Sequence, residues 1–299
     1  MNEDNFKITL KKLQTEINEI LENSINISNV PEKKLQDSMR YSLITGGKRI
    51  RPILMIATYL MFKKNYDICI PFLTAMEMVH NFSLIHDDLP ALDNDDFRHG
   101  KPTNHKAYGE STAILAGDAL LNNAYIVISN NLIEEKNSDM FALKLKALNE
   151  FSKEVYQLIV GEFVDLECDG KDIDIELLEY MHKNKTGALI KESVRIGAIL
   201  AGATDIEIEK LTNYAIKIGF AFQIKDDILS EEGDEKITGK PVGNDRENNR
   251  ATFVTKYGLL ESKKVLNEII DEAINELREF KKQAWFLREL ALYIKNRKC

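Results

Sequence analysis

Carboxylates are concentrated in one short segment, residues 86–96, which reads HDDLPALDNDD and holds five aspartates within ten residues. Carboxylates packed this closely repel one another and resist desolvation unless cations neutralise them. Hard oxygen ligands of this kind suit magnesium, which keeps several waters and shares its other positions with substrate phosphates. A second acidic pair, Asp226-Asp227, lies far downstream, and lysines and arginines are scattered around both clusters. The two clusters therefore predict a site that binds a diphosphate through bridging metal ions.

The first cluster follows an apolar stretch with helical spacing. That spacing places His80 and Asp87 on one helix face, with Asp88 on the adjoining face. Pro90 should end the regular helix, so that Asp93 can fold back toward the groove of Asp87. A solvated acidic helix end is the simpler alternative. An acidic last turn opposes the helix dipole, however, and so needs compensation, for which we favour a metal ion.

The second cluster lies in the segment Phe222–Ser230, FQIKDDILS. Helical spacing puts Gln223 and Asp227 on one face, with Asp226 beside it. An isolated pair of aspartates usually lies on the surface. The apolar residues on both sides of this pair favour a position that faces a cavity.

A glycine-rich loop supplies a possible anion site. In Gly46-Gly47-Lys48-Arg49-Ile50-Arg51, the glycines let backbone amides approach an anion, and Lys48 and Arg51 add positive charge. A helix-connecting loop with incidental bases is the alternative reading of this motif.

The elements that must position these residues are helices. Phe6, Leu10, Leu13, Ile17 and Leu21 recur at three- and four-residue steps, a long periodic run covers residues 141–163, and Thr204 with Glu207 forms a capping box. Six prolines and fifteen glycines interrupt the chain, and strand-like alternation is scarce. The pattern predicts one all-α domain over residues 1–299.

Composition narrows the class of protein. A net charge of −8 without a long basic tract argues against nucleic-acid binding. Three widely spaced cysteines indicate neither a disulfide framework nor a zinc site. The N-terminus lacks the apolar core of a signal peptide, and apolar stretches such as residues 196–203 are too short to span a bilayer. We expect a soluble, cytoplasmic protein without membrane insertion.

Six motifs in order, covering nearly the whole chain, resemble the trans-isoprenyl diphosphate synthases, most closely their bacterial farnesyl diphosphate synthase branch. The motifs are GGKRIRP at 46–52, DDLPALD at 87–93, GKPT at 100–103, GDAL at 117–120, KT at 185–186 and FQIKDDIL at 222–229. The resemblance implies an all-helical isoprenoid synthase fold with a central cavity, two facing aspartate motifs and three magnesium ions, which manganese could replace. It also implies a homodimer that condenses isopentenyl diphosphate with dimethylallyl or geranyl diphosphate.

The resemblance also implies a role for each matching residue. The metal ligands would be Asp87, Asp88, Asp93, Asp226 and Asp227. The allylic diphosphate would be bound by Arg98, Lys185, Lys225 and Lys240, with Thr186 and Gln223 along the reacting carbons. Isopentenyl diphosphate would be held by Gly47, Lys48, Arg51 and His80, and also by His99. Phe82, five residues before Asp87, and Ser83 would limit product length and favour a fifteen-carbon product, with geranyl and geranylgeranyl diphosphate as alternatives.

Two positions depart from the family pattern. Ser230 stands where a third aspartate is usual, and Glu231 is a possible substitute. His99 replaces a second arginine, and as a shorter, mostly neutral side chain it should weaken isopentenyl diphosphate binding. These departures keep open a catalytically silent partner subunit of a prenyl synthase. The basic end of the chain, residues 295–298, could either close over the site or form a frayed terminus.

Two other enzyme classes rank lower. A metal-dependent phosphohydrolase needs several histidines converging on a metal, and the sequence holds only five. A class I terpene cyclase would also bind metal ions through paired aspartates, but it has no need of the Gly-Gly-Lys-Arg loop as an isopentenyl diphosphate site.

Overall fold

The computed structural model describes residues 3–232 and 251–297, and these residues form an all-α fold, as predicted. The helices are α1 (Glu3–Glu22), α2 (Lys33–Ile44), α3 (Ile50–Leu60), α4 (Ile70–Asp87), α5 (Asn104–Tyr108), α6 (Glu110–Ile133), α7 (Ser138–Cys168), α8 (Ile175–Lys185), α9 (Gly187–Leu200), α10 (Asp205–Glu232), α11 (Phe253–Tyr257), α12 (Leu259–Glu276) and α13 (Trp285–Asn296). Short 3-10 helices cover Asp67–Cys69 and Arg278–Ala284.

Sequence signals account for several helix boundaries. The apolar series of α1, from Phe6 to Leu21, is buried along one face. The predicted capping box before α10 is present, because the Thr204 backbone amide donates to Glu207 Oε2 at 2.8 Å and the Glu207 amide donates to Thr204 Oγ1 at 3.3 Å. Helix α4 ends at Asp87, three residues before Pro90, as predicted.

A small hairpin was not predicted. Strand β1 (Phe97–Arg98) pairs antiparallel with β2 (Lys101–Pro102), and Arg98 lies opposite Lys101. Two-residue strands leave too little alternation for a sequence pattern to show. The hairpin carries Arg98 and His99, both of which were predicted as site residues.

The chain divides into two compact units. The first comprises Met1–Ile56 with Lys64–Leu148, and the second comprises Ala57–Lys63 with Asn149–Cys299, so far as these ranges are described. The first aspartate cluster lies in the first unit and the second cluster in the second. A single domain over the whole chain stays a prediction.

The core of the first unit is built around α4. Almost every side chain from Phe72 to Phe82 is buried, and α6 packs against α4 through small residues such as Ala113, Ala116 and Gly117. In the second unit, α10 packs against α9, α12 and α13, and the Tyr214 hydroxyl donates to the Leu287 carbonyl at 2.7 Å. These two packed groups of helices hold the aspartate clusters in place.

Within residues 3–232 and 251–297, two segments are long and apolar enough, by length and composition alone, to cross a membrane, contrary to the expectation that every apolar stretch is too short. They are Asp67–Asp87 and Glu110–Ile133, and 67% and 33% of their most apolar windows are buried inside the protein. Core helices of soluble proteins have the same length and composition. The first segment is therefore explained by its place in the core, whereas the second has an apolar face that stays exposed.

Candidate active site

The first aspartate cluster is built by a loop that folds back on the end of α4. The Asp93 backbone amide donates to the Asp87 carbonyl at 2.8 Å, and the Asn94 amide donates to the Leu89 carbonyl at 3.1 Å. Asp87 and Asp88 are buried, with 7% and 3% of their surface exposed. The backbone therefore returns Asp93 to the helix end that carries Asp87, as the sequence predicted.

Arg98 on β1 neutralises one of these carboxylates. Its Nε and Nη2 atoms donate to the two oxygens of Asp88 at 2.6–2.9 Å. Burial raises the pKa of Asp88, although the hydrogen bonds and charge of Arg98 act in the opposite direction. For Asp88, the compensation that we expected from a metal ion is thus supplied by an arginine of the same unit.

The chemistry of the donors fits a hard divalent cation, because every predicted metal ligand is a carboxylate. Among the residues that the structure describes, however, no three histidine, cysteine or acidic side chains lie close enough together to hold an ion by themselves. An ion at either cluster would need further oxygen ligands from water or from a bound phosphate. The metal roles of these aspartates stay predictions.

The glycine loop is fixed by a buried ion pair that sequence reasoning missed. Gly46 and Gly47 have φ values of +126° and +112°, and Arg49 has a φ of +53°. Arg49 Nη1 donates to Glu77 Oε2 at 2.6 Å, and Arg49 Nη2 donates to the Leu43 carbonyl at 2.8 Å. Glu77, inside the apolar run of α4, was the available signal, because a buried carboxylate needs a partner. The pair ties the loop to α4.

Four of the predicted isopentenyl diphosphate residues of the first unit form two neighbouring pairs. Arg51 Nη1 lies 3.2 Å from His80 Nε2, and a Cβ added at Gly47 would lie 3.8 Å from His99 Nε2. Burial and then the charge of Arg51 lower the pKa of His80. Burial and the charges of Arg98 and other cations lower the pKa of His99. Both imidazoles are therefore neutral near pH 7, as expected for His99, while Lys48 is half-buried in the same loop.

Phe82 lies one to two turns before Asp87 and is buried. Its ring meets the His86 ring edge to face at 5.1 Å, and the His86 Nε2–H donates to the Ile114 carbonyl at 3.0 Å. A Cβ at Gly117 would lie 2.2 Å from His86 Nε2, so only glycine leaves room for this ring. The half-buried Ser83 hydroxyl donates to its own helix, to the His80 carbonyl at 2.9 Å. The Phe82 ring is thus packed against His86, which is itself fixed by its hydrogen bond to α6.

In the second unit, a chain of hydrogen bonds links Thr186 to the second aspartate cluster. Thr186 Oγ1 donates to Gln223 Oε1 at 3.0 Å, and Gln223 Nε2 donates to Asp227 Oδ1 at 2.9 Å. The Phe253 backbone amide, at the start of α11, donates to Asp227 Oδ2 at 2.9 Å. Asp227 is buried, and both of its carboxylate oxygens accept a hydrogen bond, so its orientation is fixed. The bond from Gln223 confirms that these two residues share one helix face, as their spacing predicted.

Lys185 is held by two carboxylates that the sequence analysis did not single out. Its Nζ lies 2.8 Å from Glu162 Oε2 and 2.5 Å from Asp165 Oδ2, both on α7. A Cβ at Gly161 would lie 2.2 Å from the Lys185 backbone nitrogen. The glycine inside a helical pattern was the available signal for this close approach. Glycine has a low helix propensity, so its presence within a helix usually has a packing reason.

The remaining predicted residues of this unit lie along α10. Lys225 and Asp226 are half-buried, and burial, followed by the charge of Arg297, lowers the pKa of Lys225. Ser230 and Glu231 are half-buried in the last two turns of the helix. Lys240 lies outside the described residues.

Arg297 shows that the end of the chain is not frayed at this position. Its side chain is only 2% exposed, and Nη2 donates to Asp226 Oδ1 at 2.6 Å. The second cluster, like the first, thus has one carboxylate paired with an arginine from its own unit.

Comparisons with known proteins agree with this arrangement. A sequence model described as polyprenyl synthetase matches residues 32–286. A farnesyl diphosphate synthase of Geobacillus stearothermophilus is 42% identical, with 82% of each chain covered. A geranylgeranyl diphosphate synthase of Cyanophora paradoxa is 41% identical, covering 96% of this chain and 99% of its own. The solved structure of an FPP/GFPP synthase from Zymomonas mobilis superposes with a TM-score of 0.87 at 31% identity, covering 98% of this chain and 100% of that one.

Proposed function

The chain belongs to the polyprenyl synthetase family and is a trans-prenyltransferase, and from this premise we propose that it is a farnesyl diphosphate synthase. It condenses isopentenyl diphosphate with dimethylallyl diphosphate and then with geranyl diphosphate. The observation that carries the proposal is the loop that returns Asp93 to the Asp87 carbonyl, beside a buried Asp88. This loop returns the backbone of Asp93 to the helix end that carries Asp87 and Asp88, where divalent ions would take further oxygen ligands from water and from a bound diphosphate.

Bound magnesium would supply positive charge that neutralises the departing diphosphate of the allylic substrate. We assign its ligands to Asp87, Asp88 and Asp93 in the first unit and to Asp226 and Asp227 in the second. Three ions are expected, and manganese is a possible substitute. The carboxylate chemistry supports this assignment.

The cationic side chains complete the neutralisation of the departing diphosphate. Arg98, Lys185 and Lys225 contribute to this charge, and Lys240 is assigned with them from the family pattern. Glu162 and Asp165 hold the Lys185 ammonium group in one position, so that it is oriented before the substrate arrives. Thr186 and Gln223 line the reacting carbons and offer no strong nucleophile to trap a cation.

The second substrate is held by the glycine loop. Lys48 and Arg51 bind the diphosphate of isopentenyl diphosphate, and neutral His80 accepts a hydrogen bond from Arg51 and so orients its guanidinium. Gly47 lets the loop backbone approach the anion, and His99 lies beside it. The isopentenyl double bond attacks the allylic carbon, and the released diphosphate then takes the proton. Apolar surroundings exclude water, which would quench the cation.

Product length is assigned from Phe82. Its buried ring, fixed against His86, favours a fifteen-carbon product because it fills space that a longer chain would need. Relatives of similar identity include both farnesyl and geranylgeranyl diphosphate synthases, so a twenty-carbon product is the second candidate.

We further propose that the enzyme is a cytoplasmic homodimer that does not insert into membranes. The support is an apolar face of α6 formed by Ile114, Leu115, Ile126 and Ile133, all of which are exposed in the single chain. Asp118 and Asn122 lie on the same face, so it is unsuited to a lipid core and better suited to another protein surface.

The test is an incubation of the purified protein with magnesium, isopentenyl diphosphate and either dimethylallyl or geranyl diphosphate. We expect farnesyl diphosphate from both primers. Asp87→Asn should lower kcat at least a hundredfold, because it removes a charged ligand while keeping the shape of the side chain. No condensation by the folded wild type would contradict the proposal and favour the silent partner subunit, and diphosphate release without condensation would favour a cyclase.

A further inference from the structure

Arg297, the first residue after α13, is a buried arginine that forms an ion pair with the second aspartate cluster. Its Nη2 atom donates to Asp226 Oδ1 at 2.6 Å and to the Phe222 carbonyl at 3.0 Å. Its guanidinium carbon lies 4.2 Å from the centre of the Phe222 ring. The arginine side chain is 2% exposed, whereas that of Asp226 is 43% exposed. The arginine is thus fixed in the protein, and the carboxylate remains accessible from solvent.

The position of Arg297 does not depend on Asp226 alone. Leu287, Leu290 and Ile294 bury the inner face of α13, and Tyr214 on α10 donates to the Leu287 carbonyl at 2.7 Å. The ring and the carbonyl of Phe222 hold the guanidinium independently of the carboxylate. Arg297 therefore stays beside α10 when Asp226 changes its partner.

A fixed guanidinium has two opposing effects on a cation that approaches Asp226. Its positive charge offsets the carboxylate and repels the ion at short range, where screening by salt is weak. Its hydrogen bond also restricts the Asp226 side chain, which favours binding. The second effect is the smaller, because an aspartate has only two torsions to restrict.

We propose that Arg297 is a positioning residue for the second aspartate cluster: it neutralises Asp226 in the ion-free enzyme and makes ion binding there depend on a diphosphate. A bound diphosphate supplies the negative charge that Arg297 has cancelled, so ion and substrate enter together. The inference rests on the proposed function, which provides the diphosphate.

The experiment measures manganese binding by electron paramagnetic resonance on metal-stripped full-length protein. Arg297→Met keeps the length of the side chain and removes its charge. Without diphosphate, we expect Arg297→Met to bind at least one Mn²⁺ about tenfold more tightly than the wild type. Arg288→Met is the control, because Arg288 is a half-buried arginine on α13 that donates to the carbonyls of Leu277 and Lys281. It should leave Mn²⁺ binding unchanged, and Asp226→Asn together with Arg297→Met should abolish the gain.

Melting temperature provides a second readout. The wild type should be stabilised by Mn²⁺ with inorganic diphosphate but little by Mn²⁺ alone, whereas Arg297→Met should be stabilised by Mn²⁺ alone. Arg297→Lys, which keeps the charge, should behave as the wild type, and this variant serves if Arg297→Met fails to fold. Unchanged or weaker Mn²⁺ binding by folded Arg297→Met would overturn the inference.

The two proposals fail separately. A wild type that condenses prenyl diphosphates, while Arg297→Met shows no gain in Mn²⁺ affinity, disproves the role of Arg297 alone. A wild type that condenses nothing, while the gain in Mn²⁺ affinity is present, disproves the proposed function and leaves the neutralisation of Asp226 standing.

Discussion

Among single residues in the described part of the chain, carboxylates that an arginine neutralises contrast with Glu192, which is buried without a hydrogen-bond partner. Asp88, Glu77 and Glu150 each accept hydrogen bonds from an arginine. Glu192 on α9 is fully buried, and neither of its oxygens has a hydrogen-bond partner. Burial, then the charges of Glu150 and Glu154, raise its pKa well above the ordinary value. Its surroundings therefore favour the protonated form of Glu192, and its burial without a hydrogen-bond partner costs stability.

Glu192→Met should stabilise the protein by about 1–3 kcal/mol at neutral pH. The substitution removes an unsatisfied polar group and replaces it with an apolar side chain of similar volume. A carboxyl with a raised folded-state pKa stabilises the fold at pH values below its unfolded pKa. That contribution is lost as pH rises toward the folded pKa. The gain of the variant over the wild type should therefore grow as pH rises above the ordinary pKa of a glutamate carboxyl. Thermal unfolding from pH 4 to pH 8 measures this gain.

The control for this prediction is Glu150→Met. Glu150 accepts from Arg195 Nε and Nη2 at 2.7 and 2.8 Å, so its loss should destabilise the protein. Equal effects of the two substitutions would show that Glu192 has a partner after all.

Phe82 is the residue whose predicted role depends most on its surroundings. Phe82→Ala should lengthen the product to twenty carbons or more, because it removes the ring that is packed against His86. It should also cost about 3–5 kcal/mol of stability, as expected for a buried phenylalanine. Chromatography of the products measures the first effect and thermal unfolding the second. Phe82→Tyr keeps the ring and should keep a fifteen-carbon product; lengthening by this variant would argue against steric control.

At the level of the helices, glycines within helices set how closely the backbones approach. A Cβ at Gly219 would lie 3.1 Å from Gly187 Cα, and this approach lets Thr186 reach Gln223. A Cβ at Gly161 would lie 2.2 Å from the Lys185 nitrogen, a contact that real Cβ atoms do not make. The second unit thus positions two predicted substrate-binding residues through close packing of helix backbones.

Gly161→Ala should therefore displace Lys185 from Glu162 and Asp165. We expect a stability loss of about 1–3 kcal/mol or more, as for overpacked cores, together with a fall in kcat of at least tenfold. Gly219→Ala, whose contact is looser, should have a smaller effect on both. Unfolding curves and initial rates on the two variants test this order, and a reversed order would show that the backbone at Lys185 moves easily.

For the whole molecule, the exposed apolar face of α6 is the feature that the single chain leaves unexplained. Ile126 lies near the middle of this face. If two copies bury it, Ile126→Glu should reduce the mass measured by light scattering from twice the 34.2 kDa of one chain to that of one chain. Leu260→Glu is the matched control, because Leu260 is 85% exposed at the start of α12 and is not one of the residues of this face, so the substitution should not change the mass. A monomeric wild type would contradict the proposed dimer.

The sequence alone determined the helical class, the family and the local geometry of both aspartate clusters. The helical class and the cluster geometry follow from helix periodicity, from Pro90 and from residues three or four positions apart, all of which act over short stretches of chain. The family follows from the resemblance of six motifs in order. Only the tertiary structure decided which side chains hold the site residues. The Arg49–Glu77, Arg98–Asp88, Lys185–Glu162 and Arg297–Asp226 pairs join residues 10 to 71 positions apart. No local pattern encodes such a pairing, because each one depends on how separate elements pack, and it is burial in that packing that makes the charge of each partner necessary.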